Sequence, residues 1–228
     1  MNLLALETSC EKGSIALYAD GALATRRLTG FANHSEYILQ EIASLLAEHT
    51  LPVSRLDAIA FGCGPGAFTG LRLACGVAQG LALGADKKVI PVNSLAALAL
   101  QGGAGHVLAA TDARMGQVYC GFFIVEANNV VPCGEIQCLA PEEIELPAGN
   151  WCGIGSAFAA YQTISERMGG CLDRIVSDAV PRADEIALLA LNAVKENRLV
   201  APEDAALLYV RDKVAYTTAE RLTRGGKR

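Results

Sequence analysis

Residues 3–28 read LLALETSCEKGSIALYADGALATRRL, and the fold follows from this stretch. Residues 3–9 are an apolar run closing on polar residues, the pattern of a strand buried on both faces. A Cys-Glu-Lys-Gly turn leads to a second strand over residues 14–19. Asp20-Gly21 is a strong hairpin signal and sets up a third strand over residues 22–28. A three-strand meander therefore opens the chain.

Working outward, Asn33 or Ser35 is expected to cap a helix running to residue 48. Its apolar Ile38, Ile42, Leu45 and Leu46 recur on one face of a 3.6-residue period. Residues 56–61 form a fourth, alternating strand. The Gly64-Pro65-Gly66 turn leads into a helix over residues 68–83, with Thr69 capping its start. Residues 89–92 are a fifth strand, and a helix begins near Ser94. This β-β-β-α-β-α-β-α order gives a mixed sheet covered on both faces, as in one lobe of the actin and ribonuclease H class. Gly102-Gly103-Ala104-Gly105 reads as a hinge. Beyond it the order restarts, with strands over 106–111, 117–126 and 130–138, then helix, and a last long helix over 182–196 ends the second lobe. The expected fold is α/β, actin-like and ribonuclease H-like, with two lobes of mixed sheet flanked by helices. The first lobe spans residues 1–103 and the smaller second lobe 104–228.

Hydrophobic residues make up 52% of the 228, enough for a real core. The most apolar stretch, residues 71–85, is interrupted by Arg72 and Gln79 and is shorter than the roughly 20 residues a bilayer requires, so no membrane span is expected. The chain enters a strand pattern at once, and no secretory signal is expected. Eight cysteines lie scattered in apolar runs without a Cys-x-x-Cys pair, which fits reduced thiols in a cytoplasmic protein. The net charge of −5 gives the whole chain no field that attracts nucleic acid. From Arg211 onward basic residues (Lys213, Arg221, Arg224, Lys227, Arg228) outnumber Asp212 and Glu220, and both a solvated tail and a docking segment fit.

Actin-like ATPases end their first strand on an acid and follow it with glycine, threonine or serine to hold phosphate and magnesium. Glu7, Thr8 and Ser9 stand in that place, and Asp112 stands in the corresponding place of the second lobe. The tight glycine after Glu7 is absent, and Arg114 replaces a small residue after Asp112. These five residues read as a vestigial nucleotide site, with an Asp112–Arg114 turn fixed by local hydrogen bonds. His34, His49 and His106 never fall at i and i+4, and no Walker pattern or Gly-x-Ser-x-Gly elbow occurs. No catalytic residue, metal or cofactor is expected.

The helix after Gly66 carries Gly70, Gly76 and Gly80, each costing about 1 kcal/mol relative to alanine. Close approach of another helix is a motive. Leu71, Leu73, Ala74, Val77, Ala78 and Leu81 share its inner face; Arg72, Gly76, Gln79 and Leu83 share the other. Tyr37, Gln40, Glu41 and Ser44 of the preceding helix lie off its core stripe, and two lobes without a complete site point to a partner-dependent protein.

Residues 4–9 (LALETS), 33–36 (NHSE), 64–72 (GPGAFTGLR), 112–114 (DAR) and 209–211 (YVR) together resemble the TsaB family, also called YeaZ, essentially end to end. The resemblance implies an actin-like fold without catalysis of its own. It implies a subunit needed for threonylcarbamoylation of the adenosine next to the anticodon in tRNAs reading ANN codons. Its partners would be a larger catalytic paralogue, TsaD, and a small ATPase, TsaE. It would form a homodimer when alone and meet tRNA only through the complex. The implied pairing surface joins the helices after Asn33 and Gly66, through Tyr37, Gln40, Phe68, Thr69, Arg72, Gly76, Gln79, Gly80 and Leu83. The rival readings are an actin-like phosphotransferase, a TsaD-type metalloprotease and a free-standing tRNA-binding module.

Overall fold

The computed structural model of the protein describes residues 1–28 and 34–211. The opening meander is β1 (Leu3–Glu7), β2 (Ser14–Ala19) and β3 (Ala22–Arg27). Then come α1 (His34–Glu48), β4 (Ala58–Gly64), α2 (Phe68–Ala85), β5 (Lys88–Asn93) and α3 (Ser94–Leu100). The second half holds β6 (Gly105–Asp112), β7 (Val118–Glu126), β8 (Asn129–Pro132), β9 (Gln137–Leu139) and β10 (Trp151–Ile154). It ends in α4 (Ala157–Ala160), α5 (Gln162–Met168), β11 (Leu172–Val176) and α6 (Ala183–Lys195).

The first sheet runs β3-β2-β1-β4-β5, antiparallel through the meander and parallel from β1 to β5. The second runs β8-β7-β6-β10-β11 and repeats that arrangement, with β9 also pairing on β7. The duplicated order expected from the sequence is thus a duplicated topology. The expected strand over 130–138 is broken in two. Gly134 adopts φ +118°, so residues 134–136 leave the ladder, and β8 and β9 pair with different parts of β7. The parallel strands β10 and β11 were not anticipated.

β1 is buried along its whole length because both faces of its sheet are covered. Leu4 and Leu6 point toward α1 and α2, while Leu3 and Ala5 point toward α6. Ile38, Ile42, Leu45 and Leu46 of α1 are all buried on that first face, each worth about 1.5–3 kcal/mol. β4 does not alternate as expected. It is central, so its residues are buried on both sides, and it runs on to Gly64. Helix α2 is capped by Ala67 without a side-chain bond, and Thr69 lies exposed inside the first turn rather than capping it. Asn33 lies outside the described residues, and Ser35 falls inside α1.

The last helix packs elsewhere than expected. Sequence order attaches α6 to the second lobe, yet it covers the first sheet. Ala183, Ala187, Ala190 and Ala193 meet Ala5, Ala16, Ala58 and Ala60, small residues on both sides that allow close approach. Reciprocally, Leu95, Leu98 and Ala99 of α3 pack on Val107, Ala109, Phe123 and Val125 of the second sheet. The opposite face of that sheet is covered by Phe158, Ile164 and Met168 of α4 and α5, which pack with Trp151.

Helix α2 is 18 residues long and apolar enough to cross a membrane by length and composition. Its buried stripe, Leu71, Ala74, Cys75, Ala78 and Ala82, is instead part of the first lobe's core.

Candidate functional site

The ends of β1 and β6 face each other across a cleft of about 740 Å³. It is lined by the turn 9–12, the start of α2, the turn 111–115 and residues 208–211. Glu7, at the end of β1 just before the lining residue Ser9, is fully buried behind the cleft wall. Its Oε1 accepts the Ser9 N–H at 2.6 Å and its Oε2 accepts the Ser94 hydroxyl at 2.8 Å. Burial raises the carboxyl above its ordinary value, against the lowering effect of the bonds from Ser9 and Ser94. Thr8 donates its hydroxyl to the Gly70 carbonyl at 2.7 Å. Glu7, Thr8 and Ser9 are thus tied to their own lobe by these bonds.

The glycines after β4 make this corner possible. A Cβ on Gly62 would lie 2.0 Å from Glu7 Oε2, one on Gly66 2.5 Å from the Ser9 Cβ, and one on Gly70 1.8 Å from the Thr8 carbonyl oxygen. Gly70 therefore serves contact within the lobe. A Cβ on Gly76, Gly80 or Gly84, all exposed, would meet nothing within 4 Å among the described residues.

Across the cleft, Asp112 Oδ1 accepts the Arg114 N–H at 2.8 Å and the Tyr161 hydroxyl at 2.9 Å. Its Oδ2 accepts the Arg114 guanidinium at 3.3 Å. Arg114 also reaches over to Glu11 at 2.9 Å, joining the lobes by an exposed pair. Such a pair is worth about 0–1 kcal/mol. Burial pushes the Cys10 thiol up to about 11 and the Cys63 thiol up to about 12, so neither supplies a thiolate at neutral pH. Among the described residues no group of three His, Cys, Asp or Glu side chains stands together as metal ligands would.

The buried Glu7 makes a pH prediction. Its folded pKa lies above the unfolded reference of 4.5, so the folded state binds the extra proton. The stability this contributes is present below pH 4.5 and is lost as pH rises through the folded value. Glu7→Gln keeps the shape and removes the titration. Chemical unfolding at stepped pH is expected to show a shallower fall in stability above pH 4.5 than in the parent. An unchanged slope would refute a titrating Glu7. Glu185, also raised by burial, adds its own share with the same sign and stays in both proteins.

On the outside, α1 and α2 present Tyr37, Gln40, Phe68, Thr69, Arg72, Gly76, Gly80 and Leu83, all exposed, with Leu83 at 73%. Arg72 lies 3.8 Å above the Phe68 ring. Gln79 is half-buried and donates one amide N–H to the Pro202 carbonyl at 2.8 Å. The reading from sequence missed Ser94 and Tyr161 as holders of the two acids. Ser94 had a signal, since it opens a helix at the end of a parallel strand; Tyr161 had none. The basic tail, residues 212–228, lies outside the described residues.

Two sheets of one topology, each ending its first strand on an acid, with a cleft between the turns that follow, define an actin-like, two-lobed α/β protein. The family described as TsaD, tRNA N6-adenosine threonylcarbamoyltransferase, matches residues 30–149. The tRNA threonylcarbamoyladenosine biosynthesis protein TsaB of Escherichia coli is 32% identical, over 95% of this chain and 97% of its own length. The TsaB of Haemophilus influenzae is 34% identical over 95% and 96%. The solved YeaZ from Pseudomonas aeruginosa superposes with a TM-score of 0.82 at 33% identity, covering 91% of this chain and 99% of that one. The chain belongs to the TsaB (YeaZ) family.

Proposed function

We propose that this chain is a non-catalytic, cytoplasmic subunit of tRNA threonylcarbamoylation, modifying the adenosine next to the anticodon in tRNAs that read ANN codons. It acts by dimerising with, and supporting, a larger catalytic paralogue of the TsaD kind. Family membership supports the pathway, and one observation supports the role. Helix α2 turns Gly76, Gly80 and Gly84, at successive i+4 positions, into open space. Each lowers helix stability by about 1 kcal/mol relative to alanine. Nothing in the packing of the described residues requires them. A second helix lying on the stripe, nearer than the ordinary separation of about 8–10 Å, does. Tyr37, Gln40, Phe68, Thr69, Arg72 and Leu83 then form the rim of that contact. In the same proposal the chain pairs with itself when alone, a TsaE-like ATPase completes the assembly, and tRNA is met only through the complex. Residues 1–103 and 104–228 are its two lobes in chain order, with α3 and α6 exchanged between them.

Light scattering on the chain mixed with its TsaD paralogue is expected to give one species of summed mass, and reconstituted modification of tRNA is expected to need both. Separate elution, or full modification without this chain, would overturn the reading. The isolated chain is expected to show no magnesium-dependent ATP hydrolysis, because Glu7 and Asp112 are already held by Ser9, Ser94, Arg114 and Tyr161. Robust hydrolysis abolished by Asp112→Ala would restore the phosphotransferase reading.

A further inference from the structure

After α6 the chain stays on the first lobe and then crosses the cleft. Val200 pairs with Val89 on β5, and the Leu208 N–H donates to the Cys63 carbonyl at 2.8 Å. The Tyr209 ring stands 5.9 Å from Phe68, and its hydroxyl accepts Arg72 Nε–H at 3.4 Å. Two residues on, Arg211 belongs to the other side. Its guanidinium donates to the carbonyls of Ala113 at 2.9 Å and Arg114 at 3.2 Å, and lies 5.6 Å over the Tyr119 ring. Leu208, Tyr209 and Val210 line both the cleft and a second cavity of about 640 Å³ behind it, so this segment is the wall between them.

We infer that residues 208–211 are a strap that transmits the state of the exposed first turns of α2 to the 113–115 turn of the second lobe. Two features carry this. The Tyr209 end is loosely held, 52% exposed and joined to Arg72 by a long hydrogen bond, as a movable contact must be. The strap is also short. From Tyr209 to Arg211 is two residues, which span at most about 7 Å when extended. A displaced Tyr209 therefore pulls on Arg211. Anything seated over Phe68 and Arg72 competes with Tyr209 for the same faces, so its arrival is felt at the cleft. That a docked helix is what seats there rests on the pairing proposed above; the strap itself does not.

The test is hydrogen exchange on the full chain, diluted until sedimentation shows monomer. Tyr209→Ala and Arg211→Ala are each expected to speed exchange at amides 113–117 about tenfold, and the double variant no further, since both cut one connection. Phe68→Ala, which removes the ring beside Tyr209, is expected to do the same from the α2 end, while Gly76→Ala in open space leaves those amides unchanged. If Arg211→Ala alone speeds exchange, and Tyr209→Ala and Phe68→Ala do not, Arg211 merely pins its own turn and the inference fails. Should Tyr209→Ala not fold, Tyr209→Phe loses only the hydroxyl bond to Arg72. It is expected to speed exchange about threefold, and wild-type exchange there would also count against transmission. A chain that stays monomeric at every concentration sinks the pairing without touching the exchange result.

Discussion

Gly70→Ala is expected to lower the unfolding free energy by about 3 kcal/mol or more, at the upper end of what overpacking does. The added methyl would stand 1.8 Å from the Thr8 carbonyl oxygen, a backbone atom at the end of β1 that no rotamer change can move. Relief requires α2 to lift off β1, which stretches the Thr8 hydroxyl bond to the Gly70 carbonyl and disturbs the Ala67 N–H bond to the Ser9 carbonyl. Urea titration followed by circular dichroism measures it. Gly76→Ala supplies the contrast on the same helix: with nothing near its Cβ it is expected to gain up to about 1 kcal/mol. Equal effects at the two positions would show that the corner around Thr8 is not tight.

Gly76→Leu is expected to leave the monomer folded, with helix propensity improved by about 1 kcal/mol. It is also expected to abolish both self-association and pairing with the paralogue, and with them tRNA modification. The leucine would stand in the middle of the open stripe, where a close-packed helix leaves no room for it. Circular dichroism and thermal melting report the fold, and analytical ultracentrifugation reports the assembly. A folded variant that still dimerises would move the interface elsewhere. Unfolding would mean that this face is covered by the chain itself.

The first lobe was legible almost residue by residue because its signals are local. Asp20-Gly21 fixes the β2–β3 turn, and β2 falls at Ser14–Ala19 as read. Ile38, Ile42, Leu45 and Leu46 are all buried on one face of α1. The second lobe was less legible. Gly134, whose φ of +118° breaks the third strand, looks in sequence like any loop glycine. β11 has a mixed exposure pattern without clear alternation. The packing of α6 on the first sheet is a non-local fact, and the alanines that make it possible spell only a good helix. At the site, Glu7 and Asp112 were visible as strand-ending acids. The glycines at 66 and 70 were visible too, but what they and Gly62 make room for, the Glu7-Thr8-Ser9 corner, appears only once β1 lies beside β4. The strap had a signal in Tyr209-Val210-Arg211, although no periodicity says that its ends touch different lobes.

The exchange of α3 and α6 changes what the Gly102–Gly105 connector can be. Each sheet borrows the cover of one face from the other half of the chain, so separating the halves there would expose Ala5, Ala58 and Ile90 on one side and Val107, Phe123 and Val125 on the other. Neither half is then an autonomous folding unit, and heat or denaturant meets one cooperative transition instead of two. Many of the stabilising contacts join residues far apart in the chain, which slows folding, since the closure entropy precedes the reward. A ribosome must release nearly the whole chain before the first sheet can bury both of its faces.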